Sequence, residues 1–145
     1  MTKKGVGTKE QKDKLYAYIK GCGEVDKYID LEEQQEIFDM AGTLDIWEGQ
    51  AEAMLNHMCR THNWTREADL TYYMKIMLHE ATKDDGVIDK KEFDHILGFA
   101  VMTRMPRKDA IRICCKLVRD AGWETENEGR FKKVDWLADY EKGGN

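Results

Sequence analysis

The sequence predicts an all-α fold of about seven helices. These form two three-helix repeats related by a pseudo-two-fold axis, plus a C-terminal helix. Three observations carry this prediction. Apolar residues recur every three to four positions from Leu15 to Tyr140, and no segment sustains the period-two alternation of a strand, so no sheet is expected. The 145 residues include a single proline, Pro106, and long helices tolerate few. Finally, the chain matches itself when shifted by 59 positions.

Each helix has its own start and stop signals. Thr8 opens the first, with Gln11 as its capping-box partner. Leu15, Tyr18 and Ile19 form its apolar stripe, and Gly21 and Gly23 stop it. The second follows Asp30 and carries Leu31, Ile37, Phe38, Ala41 and Leu44. Asp45 caps the third, with Glu48 at N3 and Met54, Leu55 and Met58 facing inward. Thr65 caps the fourth, whose apolar residues are Leu70, Tyr73, Met74, Met77 and Leu78. Asp89 caps the fifth, with Phe93, Ile96, Leu97 and Ala100. Pro106 suits the first turn of the sixth, where a missing N–H costs nothing, and Gly122 ends it. Phe131, Val134, Leu137 and Tyr140 mark a seventh helix over about 130–141.

The repeat is specific. Asp26, Ile29, Asp30, Glu33, Ile37, Ala41, Ala51, Arg60 and Trp64 fall on Asp85, Ile88, Asp89, Glu92, Ile96, Ala100, Ala110, Arg119 and Trp123. That is nine identities in 39 gap-free positions, where ordinary composition gives about two or three. Conservative pairs such as Phe38/Leu97 and Met54/Ile113 fall where a core should be. Each unit therefore reads helix, acidic turn, helix, short turn, helix. Such a unit cannot bury its apolar faces alone. Repeat one (about 8–64) and repeat two (about 65–123) are expected to form one domain over 1–145, with the last helix covering an open side. Trp64 and Trp123 suit core or staple packing.

Composition removes several function classes. A formal charge of −5 argues against nucleic acid as a partner, because phosphate is bound mainly by cations. Local basic residues (Lys3, Lys4, and Arg104, Arg107, Lys108, Arg112) sit among acidic ones. No apolar run approaches the ~20 residues that span a bilayer, so no membrane insertion is expected. Met1 to Lys14 has no apolar signal-peptide region. Cys22, Cys59, Cys114 and Cys115 show neither a C-x-x-C spacing nor a disulfide framework. Together these point to a cytoplasmic protein with reduced, partly buried thiols.

The two acidic turns carry the densest chemistry: Asp26-Lys27-Tyr28-Ile29-Asp30-Leu31-Glu32-Glu33 and Asp85-Gly86-Val87-Ile88-Asp89-Lys90-Lys91-Glu92. Helix capping explains most of it. Asp30 and Asp89 are N-caps, Glu33 and Glu92 are their N3 partners, and Ile29 and Ile88 sit at N′. Only the first aspartate of each turn goes beyond what capping requires. The competing reading is a site for a hard cation, which seeks several oxygen ligands. A standard EF-hand is excluded. With Glu92 at loop position 12, positions 1 and 3 are Ala81 and Lys83, and in the first copy they are Cys22 and Glu24.

Asp85-Gly86-x-Ile88-x-x-x-Glu92, opening a helix and repeated once in an all-helical chain of this length, resembles the TerB (tellurite resistance) family. The resemblance runs from about Lys12 to Trp123, and the first copy departs from it with Lys27 in the glycine's place. It implies a seven-helix fold with acidic residues on one side, divalent-cation binding, a link to metal or stress response, and no established enzymatic activity. The implied metal ligands are Asp26, Asp30, Glu33, Asp85, Asp89 and Glu92, for calcium, magnesium, manganese or zinc.

Other constellations are weaker. His57, Cys59 and His62 are close in sequence, but positions 57 and 59 point to different helix faces, and His62 is expected past the helix end. His79 and His95 flank the second acidic turn, where solvated or capping roles suit them. No activating context supports a Cys–His nucleophile and no Gly-rich phosphate loop is present, so no catalytic residue is expected. Trp47 and Trp136 lie near polar faces and would mark a partner surface if exposed. The sequence therefore supports a non-enzymatic binding module with cation sites at its acidic turns. The alternative is a protein-interaction module in which those turns only cap helices.

Overall fold

The computed structural model describes residues 5–126 and 135–143. Lys3, Lys4 and the Phe131–Val134 portion of the expected last helix lie outside them. The order is α1 (Lys9–Gly23), β1 (Tyr28–Ile29), α2 (Leu31–Thr43), α3 (Glu48–His62), β2 (Thr65–Arg66), α4 (Glu67–Thr82), β3 (Val87–Ile88), α5 (Lys90–Met102), α6 (Arg107–Ala121), β4 (Glu124–Thr125) and α7 (Trp136–Glu141). All seven expected helices are present, so the fold is all-α. Two compact units divide it, Met1–Ala68 and Asp69–Asn145.

The 59-residue repeat holds down to single hydrogen bonds. The bounds of α2 and α3 recur in α5 and α6 at that offset. Asp45 and Arg104 both take positive φ (57° and 79°), as do Asn63 and Gly122 (56° and 73°). Ile46 N–H donates to Ala41 O at 2.8 Å, and Met105 N–H to Ala100 O at 3.1 Å.

The expectation of no sheet is corrected in a small way. Each unit contains one parallel pair of two-residue strands. Tyr28 and Ile29 pair with Thr65 and Arg66, and Val87 and Ile88 pair with Glu124 and Thr125. Two-residue strands are too short to show alternation, which is why periodicity passed over them. They return the chain that leaves the third helix to the acidic turn.

Three expected helix boundaries also shift. Asp45 does not cap α3; it sits in the left-handed turn before it, and Trp47 is the N-cap without a side-chain bond. Thr65 lies in β2, and α4 begins two residues later. Helix α1 runs through Gly21 to Gly23, and Thr8 and Gln11 form the expected capping box at its start.

In the first unit, Leu15, Ile19, Ile29, Ile37, Ala41, Ile46, Ala51, Met54, Leu55 and Cys59 form the core, with Trp64 half-buried against it. In the second unit Leu70, Met74, Leu78, Ile88, Phe93, Ile96, Leu97, Ala100, Ile113, Cys114 and Val118 are buried. Tyr73, expected on the inner stripe of α4, is instead 55% exposed.

The units close one side by different chemistry. In the first, the buried Arg66 guanidinium donates to Glu52 at 2.8 Å, Asn56 at 2.5 Å and Gln34. At the same repeat positions the second unit has Thr125, Ile111, Cys115 and Phe93. There α7 supplies the cover. Trp136 and Tyr140 each pack 5.2 Å, centroid to centroid, from Phe93. Trp136 donates its indole N–H to Glu126 O at 2.9 Å, and the Tyr140 hydroxyl binds Asp94. Trp136 is therefore core, not partner surface; it is 3% exposed, whereas Trp47 is 63% exposed.

Gly23 and Gly21 give a paired test of α1. A Cβ on Gly23 would stand 2.5 Å from the Trp64 ring, while one on Gly21 would meet nothing within 4 Å. Urea denaturation should show Gly23→Ala losing about 1–3 kcal/mol to overpacking. Gly21→Ala should gain about 0.5–1 kcal/mol from helix propensity.

Candidate functional site

The six carboxylates singled out by sequence divide between the units: Asp26, Asp30 and Glu33 in the first, Asp85, Asp89 and Glu92 in the second. All six engage backbone N–H groups. Asp30 Oδ1 accepts from Glu33 N at 2.7 Å, and Glu33 Oε1 accepts from Asp30 N at 3.1 Å. Asp89 and Glu92 repeat this box at the same two distances. The first aspartates are also committed. Asp26 Oδ1 accepts from Tyr28 N at 3.2 Å, and Asp85 Oδ1 from Val87 N at 3.0 Å. Each is an Asx-type turn, in which a side chain stands in for a backbone acceptor. Turn and cap chemistry thus accounts for one oxygen of every carboxylate, including the aspartates that sequence reasoning left over.

Both turns are built alike despite the Lys27/Gly86 difference. Lys27 takes φ 59° and Gly86 φ 71°. Their N–H groups donate to Gly23 O and Thr82 O, both at 2.8 Å. Their carbonyls accept from Thr65 N at 2.9 Å and Glu124 N at 3.0 Å. Lys27 therefore holds a left-handed conformation that glycine reaches without steric cost.

The surroundings differ more than the turns. Asp84, Asp85, Asp89, Glu92 and Glu126 line one recess of about 260 Å³, with Ala81 and Val87. Asp84 and Glu126 were not anticipated from the sequence; Glu126 arrives through the β3–β4 pairing, where its N–H donates to Ile88 O at 2.9 Å. In the first copy, Val25 stands at Asp84's place and is 92% exposed. There, burial raises the Glu33 carboxyl above its ordinary range. Asp30, Asp26 and Glu36 add to the rise, against a lowering by the Asp30 N–H. Among the described residues, no three His, Cys, Asp or Glu side chains converge closely enough to hold a metal ion.

Three of the four histidines lie against aromatic rings. His57 lies edge-on to Tyr16 at 6.5 Å. His62 is the last residue of α3 rather than beyond it, and stacks on Trp64 at 4.9 Å. His79 meets Trp123 edge-on at 4.9 Å, and His95 is exposed. None of the four cysteines is in a disulfide. Burial pushes the Cys22 and Cys115 thiols up to about 11, and that of Cys114 higher still. A thiol so raised stays protonated near neutral pH and is a poor nucleophile. No helix among the described residues is long and apolar enough to cross a membrane.

In comparisons with known proteins, the chain matches no family model, no curated protein and no solved structure.

The caps set two expectations for chemical denaturation. Asp30→Ala and Asp89→Ala should each cost about 1 kcal/mol, while the asparagine variants, which keep an acceptor, should retain nearly all of it. Lys27→Gly should stabilise by up to about 1 kcal/mol, and Gly86→Ala should destabilise by a similar amount. Equal stability of Asp89→Ala and Asp89→Asn would remove the cap's role.

Proposed function

We propose that this chain is a non-enzymatic binding module and that its second acidic turn, rather than both, takes a hard divalent cation weakly. The observation that carries this reading is the recess shared by Asp84, Asp85, Asp89, Glu92 and Glu126. Turn and cap bonds use one oxygen of Asp85, Asp89 and Glu92. No three of the described carboxylates converge as they stand, so the ion would be held by one or two of them with water completing its shell, which is why the binding is weak. The first turn is the poorer host, with an apolar Val25 for Asp84 and a lysine cation for Gly86. The resemblance of Asp85-Gly86-x-Ile88-x-x-x-Glu92 to the TerB motif supports the same assignment, with a cytoplasmic role in metal or stress response. The protonated, buried thiols support a binding rather than a catalytic role.

The test is calorimetric titration of the full chain with magnesium, calcium, manganese and zinc. One ion should bind saturably with Kd on the order of 0.1–1 mM, the range of weak oxygen sites. Asp84→Asn with Asp85→Asn should weaken it at least tenfold, because two charges go while the turn acceptor stays. Asp26→Asn should leave it unchanged. A flat trace for all four metals would sink the reading.

A second reading, a protein-interaction module, is favoured by a different observation. Helix α4 exposes Tyr72 at 63%, Tyr73 at 55% and Ile76 at 42%, where α1 has Asp13, Lys14 and Ala17. Ile76 continues into a recess of about 620 Å³ with His79, Thr82 and Trp123. Aromatic residues at helical neighbour positions are typical interface anchors. Under this reading Tyr72→Asp with Ile76→Lys abolishes binding of a protein partner that Asp84→Asn with Asp85→Asn does not affect. Partner binding that requires a divalent cation would count against it.

A further inference from the structure

The basic stretch noted in the sequence has no part in the acidic turn. Three of its residues, Arg107, Lys108 and Arg112, border a recess of about 810 Å³ between α6 and α7. That volume lies within the range of small-molecule sites. The inner wall consists of Ile111, Cys115 and Tyr140, of which the last two are buried. Cys115 presents a protonated, uncharged sulfur there, because burial raises its thiol to about 11. Along the rim stand Arg107, Lys108, Arg112, Lys116 and Arg119, whose aliphatic stems add apolar surface below their charged ends.

The rim cations are not equivalent. Lys116 is held by Asp120 at 2.8 Å, and Arg119 grips Glu141 with two bonds of 2.7 and 3.2 Å. That pairing also draws the Glu141 carboxyl below its ordinary range. Arg112 lies 3.6 Å from Asp109. Arg107 and Lys108 make no ion pair with any described residue, and both are exposed. Asp109, Asp120 and Glu141 also line the recess, each beside its own basic partner, so Arg107 and Lys108 are the rim cations without an ion pair among the described residues, in a protein whose overall charge is negative.

The internal repeat acts as a control. The first copy has Glu48 and Gly49 at the places of Arg107 and Lys108, and Glu52, Ala53 and Asn56 at those of Ile111, Arg112 and Cys115. There Glu52 and Asn56 are occupied in holding Arg66. The apolar wall and its cationic rim therefore belong to the copy that carries α7. Helix capping needs neither, and neither is required to repeat the fold.

We propose that the α6–α7 recess is a binding site for an amphiphilic anion: an apolar chain lies along Ile111, Cys115 and Tyr140, and a carboxylate head meets Arg107 and Lys108. This is independent of cation binding at the acidic turn. The probe is dodecanoate, kept below its micellar concentration and titrated into the full chain by calorimetry and backbone amide NMR. Saturable one-to-one binding is expected, with shifts centred on Ile111, Cys115 and Tyr140. Acetate, which has the head without the chain, should not saturate. Dodecyltrimethylammonium, which has the chain with the opposite charge, should bind at least tenfold more weakly. Arg107→Glu with Lys108→Glu, at exposed positions that should leave the circular dichroism spectrum unchanged, should weaken dodecanoate at least tenfold. The proposal is overturned if the double variant binds dodecanoate as well as the original chain does, or if dodecyltrimethylammonium binds equally. It also fails if hexaglutamate or inorganic phosphate saturates the rim while dodecanoate gives no heat.

Discussion

Each unit depends on one short backbone junction, where the carbonyl of a left-handed turn residue accepts the N–H of the residue that follows the third helix. Lys27 and Gly86 provide the carbonyls, and Thr65 and Glu124 provide the N–H groups. Around this junction the Asp26 and Asp85 side chains fix the turn, and Asp30 and Asp89 start the next helix. A helical hairpin can slide or splay, because its contacts are side-chain packing. A backbone bond from the end of the third helix to the start of the second limits that freedom, and it does so at the same place in both copies. The acidic residues of the repeat are kept near that junction by geometry before any ligand is considered.

That origin explains what the sequence disclosed and what it withheld. Helical spacing, the Thr8 and Asp89 capping boxes and the 59-residue offset are local or periodic signals, and all were legible. The parallel two-residue pairings join residues 37 positions apart and carry no pattern of their own, so they were not. The cap assigned to Asp45 failed because a short turn in left-handed conformation looks, in sequence, like a cap followed by its N3 glutamate. Of the candidate recess, Asp85, Asp89 and Glu92 were singled out by the repeat, by capping chemistry and by the TerB resemblance. Asp84 and Glu126 were missed because Val25 occupies the first position in the other copy, and because the second becomes a neighbour only through the strand pairing. One signal was available for Glu126: it falls on Glu67 at the repeat offset.

Divergence between the copies lies on the outer faces and on the one side that each unit closes with its own buried residues. The junction, the caps and the left-handed turns persist, while α1 and α4 differ on their outer faces and α3 and α6 differ in charge. A stable repeated frame leaves such faces free to change, since exposed substitutions away from caps and cores usually alter stability by less than about 0.5 kcal/mol. The second copy carries the acidic recess, the aromatic face of α4 and the α6–α7 recess.

The arginine cluster of the first unit has a consequence for how the two halves can evolve. Arg66, Gln34, Glu52 and Asn56 form one solution, and Thr125, Phe93, Ile111 and Cys115 under α7 form the other. Intermediates between them are costly. Arginine without its carboxylate is a buried unpaired charge, and the polar trio beneath Trp136 would lose the guanidinium from which its oxygens accept. Recombination that copied part of one half onto the other would therefore be selected against. The two sets therefore exchange only as wholes, even though the halves share a backbone.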